Sequence, residues 1–237
     1  ISQVLNDAGV PVGVFGRPPS SKDAKCLVAL PEEYRNAKRL MTYLTEVAKE
    51  KFEKTGKKIT PLNVVGDLGD PNAVNRRNAF IDVYKENRDI FNEAIEVPSK
   101  WDAATCLANL QSAMQANPEV DFVYVGSDFL YPQVRAVLEP MGKWKPIGDP
   151  DHVILGAIDG DLTAGRLMDQ KIVDATAVHD LYGMADDLMA ELVKAINNGE
   201  KTPENWMHID GFTLTQENMS ERRMDMWGNI LRAEMEE

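Results

Sequence analysis

The chain has 237 residues, which is enough for one large domain or two smaller ones with sizeable cores. Its 26 Lys and Arg residues stand against 38 Asp and Glu residues, and the resulting net charge of -12 disfavours nucleic acid and anionic lipid as partners. The two cysteines, Cys26 and Cys106, are too few for a disulfide framework or a four-thiolate metal site, and we do not expect them to pair.

Short apolar runs rich in Val, Ile and Ala alternate along the chain with longer stretches whose apolar residues recur at helical spacing. This alternation predicts an α/β fold built on a parallel sheet. The predicted strands are 12–15, 26–30, 62–65, 90–95, 122–125, 153–158 and 172–178.

Three predicted helices carry apolar stripes that we expect to face the core. The first stripe ends near Gly56, the second is closed by Asn117 and Pro118, and the third stops at 197–199. The stripes are Leu40, Met41, Leu44, Val47, Ala48 and Phe52; Leu107, Leu110 and Met114; and Ala185, Leu188, Met189, Leu192, Val193 and Ile196. Residues 1–8 have the pattern of the last turns of a helix. Residues 206–213 have the pattern of an extended segment, and an amphipathic C-terminal helix is predicted after it.

The common catalytic motifs are absent from the sequence, including the Gly-x-Ser-x-Gly elbow, the Walker loop, the Gly-x-Gly-x-x-Gly turn and His-Glu-x-x-His. We therefore predict that the protein is not an enzyme and has no cofactor. The histidines lack zinc-ligand spacing, and the aspartates between 149 and 161 do not fit a calcium loop and are interpreted as turn residues.

No apolar run approaches the roughly 18 to 20 residues that span a bilayer, and the N-terminus lacks a signal-peptide pattern. We expect a soluble chain with any export signal removed and no direct membrane insertion.

Polar and aromatic residues follow several of the predicted strands. Arg76 begins a helix after the 69–72 turn, with Asn72 as its expected cap, and Trp101, Ser127 and Asp159 each follow or end a strand. Ligands bind at the carboxyl ends of strands in open α/β sheets. A sugar pocket needs convergent polar groups and an aromatic face, and these residues provide both.

Six segments carry a resemblance to a known family. They are GDPNAVNRRNAF (69–80), WD (101–102), NPEVD (117–121), GSD (126–128), GAIDG (156–160) and ATAVH (175–179). In order and spacing they resemble the landmarks of the type I periplasmic binding proteins for pentoses and hexoses, the ribose- and galactose-binding family. The resemblance covers nearly the whole chain and implies two Rossmann-like lobes of parallel sheet with flanking helices.

The resemblance implies roles for three residues. Arg76 would fork onto ring or hydroxyl oxygens, Trp101 would stack on the sugar, and Asp159 would accept hydrogen bonds from hydroxyl groups. Each residue has a structural alternative. Arg76 could be a surface helix arginine, Trp101 partly buried packing, and Asp159 only a turn residue.

Three positions depart from the family pattern and bear on specificity. Ser127 stands where an asparagine is common, and His179 where a glutamine or asparagine is common, with a structural hinge histidine as the alternative for His179. Arg17 matches an arginine of the ribose-type pocket, but Gly16 replaces the aspartate that usually precedes it. The expected ligand is therefore a monosaccharide or polyol of unspecified identity.

The resemblance also implies the domain organisation. Residues 1–30 and 179–207 would form part of the N-terminal lobe, 31–178 the C-terminal lobe, and 208–237 the last crossing segment and helix. The family begins with roughly a quarter of its fold that has no counterpart here. We therefore expect an incomplete first lobe with an unpaired sheet edge and exposed apolar helix faces.

The implied function is that of a solute-binding protein of an ABC transporter, in the periplasm or anchored outside a Gram-positive cell. It would capture its ligand by hinge closure at 29–31, 178–180 and 206–212 and deliver it to a membrane permease. One alternative is a sugar sensor for a membrane signalling receptor. Another is the effector domain of a LacI-type regulator, which the acidic charge and the absence of a DNA-binding segment disfavour.

Overall fold

A computed structural model describes residues 2–21, 23, 25–200 and 204–236. The chain forms two compact units, the first comprising Ile1–Glu32 and Asp180–Gly211 and the second Glu33–His179 and Phe212–Glu237. It therefore passes from one unit to the other after Glu32, after His179 and after Gly211. Within the described ranges, every helix is too short or too polar to cross a membrane.

Helices and strands alternate through most of the chain. The helices are α1 (Ser2–Asp7), α2 (Glu33–Thr55), α3 (Pro71–Glu86), α4 (Ala103–Ala116), α5 (Tyr131–Leu138), α6 (Leu162–Asp169), α7 (Leu181–Asn197), α8 (Met219–Arg222) and α9 (Trp227–Glu236). The strands are β1 (Gly13–Phe15), β2 (Leu27–Pro31), β3 (Pro61–Val65), β4 (Ile95–Pro98), β5 (Phe122–Val125), β6 (Ile154–Asp159), β7 (Ala175–Val178), β8 (Trp206–Ile209) and β9 (Phe212–Thr215). Short 3-10 helices span Asp128–Leu130 and Arg223–Asp225.

The first unit is built on a three-stranded parallel sheet in the order β1-β2-β8. Helix α7 packs on this sheet, where Leu27 and Ala29 of β2 meet Met184 and Leu188. The two cysteines do not pair, since Cys26 lies beside β2 and Cys106 lies in α4 of the second unit, and both are buried thiols.

The apolar stripe of α7 only partly faces this core, which corrects the expectation from sequence. Leu188 is buried and Leu192 packs against the core cluster, whereas Met189, Val193 and Ile196 are exposed. The reason is geometric. The apolar arc of the helix is wider than the strip that a narrow three-stranded sheet covers.

The second unit contains a six-stranded sheet in the order β4-β3-β5-β6-β7-β9. All of its pairings are parallel except that of β9, which runs antiparallel to β7. Both faces are covered by helices. Successive residues of β5 alternate between them, so that Phe122 and Tyr124 pack against α2 and α3 while Val123 and Val125 pack against α4, α5 and α6. The predicted α/β fold with a parallel sheet is confirmed.

The predicted strand 90–95 is wrong, because the strand in this region is β4 and it begins at Ile95. Ile90 and Phe91 are both buried, but Ile90 is the last residue of a turn and Phe91 makes only an isolated bridge with Ile59. Two adjacent buried apolar residues outside the sheet gave the same sequence pattern as the start of a buried strand. Pro98 at the end of β4 is tolerated because β4 is an edge strand.

The predicted cap of α3 is also wrong. Asp70 caps the helix by accepting a hydrogen bond from the Asn72 backbone N–H at 3.1 Å, and Pro71 occupies the first helical turn. Proline suits this position because its missing N–H would have no partner within the helix.

A buried histidine links the 145–155 region to the segment before β7. Asp174 accepts a hydrogen bond from the Leu155 N–H at 2.7 Å and lies 3.0 Å from His152 Nε2, while His152 Nδ1 lies 2.8 Å from the Lys145 carbonyl. Burial lowers the pKa of His152, but the hydrogen bond and the charge of Asp174 outweigh it, and the net pKa is raised above 6.5.

We predict that His152 stabilises the fold in a pH-dependent way. A raised folded pKa gives a contribution that is complete below about pH 6.5 and is lost as the pH rises through the folded pKa. His152→Gln should lower the free energy of unfolding by about 1.5–3 kcal/mol at pH 5.5 and by less at pH 9, measured by urea unfolding. His208→Gln, at a half-exposed histidine, is the control. An equal loss at both pH values would contradict the prediction.

Candidate functional site

Four side chains of the candidate site converge at the carboxyl ends of neighbouring strands in the second unit. Ser127 lies two residues beyond β5, Asp159 ends β6, and His179 follows β7. Because β5, β6 and β7 are adjacent and parallel, their ends lie at one edge of the sheet. Arg76 reaches this edge from the second turn of α3.

Arg76 is the centre of the site and is almost completely buried, with 6% of its surface exposed. Its Nε and NH2 atoms each lie 2.7 Å from a different oxygen of Glu33, the first residue of α2. Its NH1 atom donates to the Gly126 carbonyl at 2.7 Å, and NH2 lies 2.8 Å from Asp159 Oδ1. The guanidinium fork is thus held by two carboxylates and a backbone carbonyl.

The electrostatics of this arrangement favour the charged form of the arginine. Burial alone would lower the pKa of Arg76, but the charges of Asp159 and Glu33 and the hydrogen bonds to them outweigh it and raise the pKa. A buried cation needs such partners because desolvation of an unpaired charge costs several kcal/mol. We refer to Glu33, Arg76, Ser127, Asp159 and His179 as the Arg76 cluster.

Asp159 is the most exposed member of the Arg76 cluster, with 27% of its side chain accessible, whereas Glu33 and His179 are buried. Its Oδ1 lies 3.2 Å from His179 Nε2, and its Oδ2 accepts a short hydrogen bond from the Ser127 hydroxyl. Burial raises the pKa of Asp159, but the charge of Arg76 and the contacts with His179 and Ser127 dominate and hold the pKa well below its usual range. Asp159 is therefore an ionised acceptor at neutral pH.

The backbone at Asp159 is strained. Its φ of 117° lies in a region that is favourable only for glycine, and other residues in such conformations cost on the order of 1–3 kcal/mol. Asp128, which is 1% exposed, stabilises the strained turn. Its Oδ2 accepts hydrogen bonds from the Gly160 N–H at 2.7 Å and the Asp161 N–H at 2.8 Å. Burial and the charges of Asp159 and Asp161 raise the pKa of Asp128 well above its ordinary value.

Trp101 lies beside the Arg76 cluster. The centre of its ring is 5.8 Å from the Arg76 guanidinium carbon, and its indole N–H donates to Asp70 Oδ2 at 2.9 Å. The ring lies against Gly66 after β3, where a Cβ atom would approach to 2.1 Å. Glycine is required there because any side chain would displace the indole.

The structure brings together five of the six residues predicted from sequence, namely Arg76, Trp101, Ser127, Asp159 and His179. Arg17 follows β1 and belongs to the other compact unit. The alternative of a surface arginine at position 76 does not hold, because this side chain is buried. The ligand roles of these residues remain predictions.

Sequence reasoning missed Glu33, although a signal for it existed. Glu32 and Glu33 directly follow the apolar run of β2, and charged residues after other strands were singled out on that ground. Glu33 begins α2 and so appeared as an ordinary acidic first-turn residue. Its partner Arg76 is 43 residues away in the sequence, which no local pattern can reveal.

The chain is similar to known proteins over most of its length. The model of the periplasmic binding protein domain family matches residues 1–201. The D-apiose import binding protein of Actinobacillus succinogenes is 22% identical to the chain over 215 residues. That alignment covers 89% of this chain and 64% of the relative, so the chain spans less than two thirds of this relative's length.

Solved structures show the same fold. A periplasmic solute-binding protein of an ABC transporter from A. succinogenes, with bound D-allose, has a TM-score of 0.77 at 17% identity, covering 92% of this chain and 73% of its own. A Bacillus halodurans solute-binding protein with bound myo-inositol has a TM-score of 0.73 at 21% identity, covering 94% and 72%. The fructose-binding periplasmic domain of a hybrid two-component system has a TM-score of 0.71 at 16% identity, covering 99% and 72%. The predicted type I fold is confirmed.

We predict that Glu33 is essential to the stability of the second unit. Glu33→Ala leaves Arg76 buried with one carboxylate fewer, and it should lower the free energy of unfolding by about 3–5 kcal/mol. Glu46→Ala is the control on the same helix, because Glu46 pairs with Lys49 at the surface and should cost less than about 1 kcal/mol. Urea unfolding of both variants measures the difference, and equal costs would refute the prediction.

Proposed function

The chain belongs to the periplasmic binding protein family, and on this premise we propose that it is the solute-binding protein of an ABC transporter for a neutral monosaccharide or polyol. The observation that carries the proposal is Asp159, an ionised and partly exposed carboxylate fixed at the carboxyl end of β6. The D-apiose, D-allose and myo-inositol named for the compared proteins are all neutral polyhydroxyl compounds, which supports this ligand class.

A fixed carboxylate is suited to polyhydroxyl ligands. Each carboxylate oxygen of Asp159 has two lone pairs. Arg76 and His179 contact Oδ1 and Ser127 donates to Oδ2, so Oδ2 can still accept from a ligand hydroxyl group. Trp101 offers an apolar surface next to these acceptors, suited to the C–H groups of a sugar ring. Arg76 acts mainly by fixing Asp159, because its fork is engaged with Glu33.

The charge of the Arg76 cluster selects against anions. Glu33 and Asp159 both pair with the single guanidinium of Arg76, so the carboxylates outnumber the arginine. A sugar acid or sugar phosphate would bring a further negative charge next to the partly buried Asp159 carboxylate, where like charges repel. We therefore propose that uronic acids, aldonic acids and sugar phosphates are excluded.

Capture follows the family mechanism of hinge closure. The ligand contacts both lobes, and it favours the closed form to the extent that it binds that form more tightly than the open form. The closed form then delivers the ligand to the membrane permease, in the periplasm or outside a Gram-positive cell. The three passages between the compact units are the segments in which the backbone would rotate.

A ligand panel tests the proposal. Thermal unfolding of the chain is followed with D-apiose, D-allose, myo-inositol and D-fructose, and with D-galacturonate, D-gluconate and glucose 6-phosphate as charged counterparts. At least one neutral compound should raise the melting temperature, since a ligand at 100 times its Kd stabilises by about 2.7 kcal/mol. The charged counterparts should give no shift. Binding of the charged compounds alone would overturn the proposed ligand class. An unchanged melting temperature with every compound would overturn the proposed function.

We predict that Asp159→Ala abolishes sugar binding while the chain stays folded. The variant removes the acceptor, but Arg76 keeps its two bonds to Glu33, and the affinity should fall by a factor of about 100 or more. Calorimetric titration measures the affinity, and circular dichroism checks the fold. Asp151→Ala, at an exposed turn residue, is the matched control. Unchanged affinity in Asp159→Ala would refute the role of this residue.

A second candidate function is a sugar sensor for a membrane signalling receptor. The fold match that covers 99% of this chain is to the fructose-binding periplasmic domain of a hybrid two-component system, which supports this alternative. Deletion of the gene separates the two functions. Loss of uptake of the radiolabelled sugar supports transport, whereas intact uptake with loss of sugar-induced transcription supports sensing.

A further inference from the structure

The C-terminal helix contacts the strained turn formed by residues 159–161. The indole N–H of Trp227 donates to the Asp159 carbonyl at 2.7 Å, and the Gly228 N–H donates to the Gly160 carbonyl at 3.1 Å. Both donors come from the first turn of α9. This helix lies beyond residues 1–201, the range matched by the family model.

The fit between α9 and the turn is close. A Cβ atom on Gly228 would lie 2.2 Å from the Asp161 carbonyl carbon, so only glycine allows this approach. The far end of the helix is tied to α6, because Arg232 NH1 lies 2.8 Å from Asp169 Oδ2. Helix α9 is therefore seated on the turn and on the helix that follows it.

Two sets of contacts thus fix the same turn. Asp128 accepts the N–H groups of Gly160 and Asp161, while Trp227 and Gly228 donate to the carbonyl groups of Asp159 and Gly160. Asp159 has a positive φ, and a backbone in this region persists only where its surroundings hold it. The direction of the Asp159 side chain follows from this backbone conformation.

We propose that Trp227 is a positioning residue for the ligand site. Its indole N–H holds the Asp159 carbonyl, and this bond maintains the backbone conformation that directs the Asp159 carboxylate to Arg76. The effect on the Arg76 cluster follows from the structure of this chain alone. The effect on sugar affinity rests on the proposed function.

Trp227→Phe tests the proposal because it removes the donor and keeps an aromatic ring. Solvent exchange of the Arg76 side-chain N–H groups is read by ¹H–¹⁵N NMR. Arg76 NH2 contacts Asp159, Glu33 and His179, whereas among the described residues Nε donates to Glu33 alone. We expect NH2 exchange to become about tenfold faster and Nε exchange to stay the same. Trp144→Phe is the matched control, because Trp144 packs against the same core cluster as Trp227.

The second measurement is calorimetric titration with the same four neutral compounds, D-apiose, D-allose, myo-inositol and D-fructose. Whichever of these binds the unaltered chain should bind Trp227→Phe about tenfold more weakly, and Trp144→Phe with unchanged affinity. If none binds the unaltered chain, the proposed function fails, and the NMR measurement still decides on Trp227.

Unchanged NH2 exchange, or an equal increase at NH2 and Nε, overturns the positioning role, because the second result means general loosening of the fold. Weaker sugar binding without a change in NH2 exchange also overturns it. If circular dichroism shows that Trp227→Phe is unfolded, Gly228→Ala takes its place. Its added Cβ displaces α9 from the turn and should give the same selective increase at NH2.

Discussion

A guanidinium buried at the edge of a parallel sheet constrains most of the second unit. Arg76 needs acceptors on several sides, and it finds them in Glu33 from α2, the Gly126 carbonyl after β5, and Asp159 at the end of β6. These elements are far apart in the sequence. An unpaired buried cation is unfavourable, so the pairing of Arg76 holds α2, β5 and β6 in one fixed arrangement.

The same arrangement explains why strained backbone occurs where it does. Among the described residues, Lys100, Trp101, Asp159 and Lys171 have positive φ values although none is glycine. Three of these four lie at the carboxyl ends of strands, since Lys100 and Trp101 follow β4 and Asp159 ends β6. Local interactions hold Trp101 and Asp159. The Trp101 indole donates to the Asp70 carboxylate and packs against Gly66, which has no side chain. The carbonyl group of Asp159 accepts a hydrogen bond from the Trp227 indole. Stored strain concentrated at one edge of a sheet is typical of a binding site.

The sequence predicted the fold well where periodicity was strong and failed where it was weak. Runs such as 122–125 alternate between two helical layers and are apolar throughout, which local patterns detect. Ile90 and Phe91 satisfied the same rule from within a turn, because burial alone does not distinguish a strand from a packed loop. Most of the candidate site followed from one rule about strand ends. Glu33 and Trp227 did not, since their importance depends on contacts across 43 and 68 residues.

The position of the Arg76 cluster in the chain has a mechanical consequence. Glu33 is the first residue of the second unit after one passage, and His179 is the last before another. Both are members of the cluster, Glu33 through its ion pair with Arg76 and His179 through its contacts with Asp159 and Arg76. Two of the three covalent connections to the first unit are thus anchored in the charged group itself. A change in charge or hydration at Asp159 therefore reaches His179 by direct contact and Glu33 through one intermediate residue, Arg76.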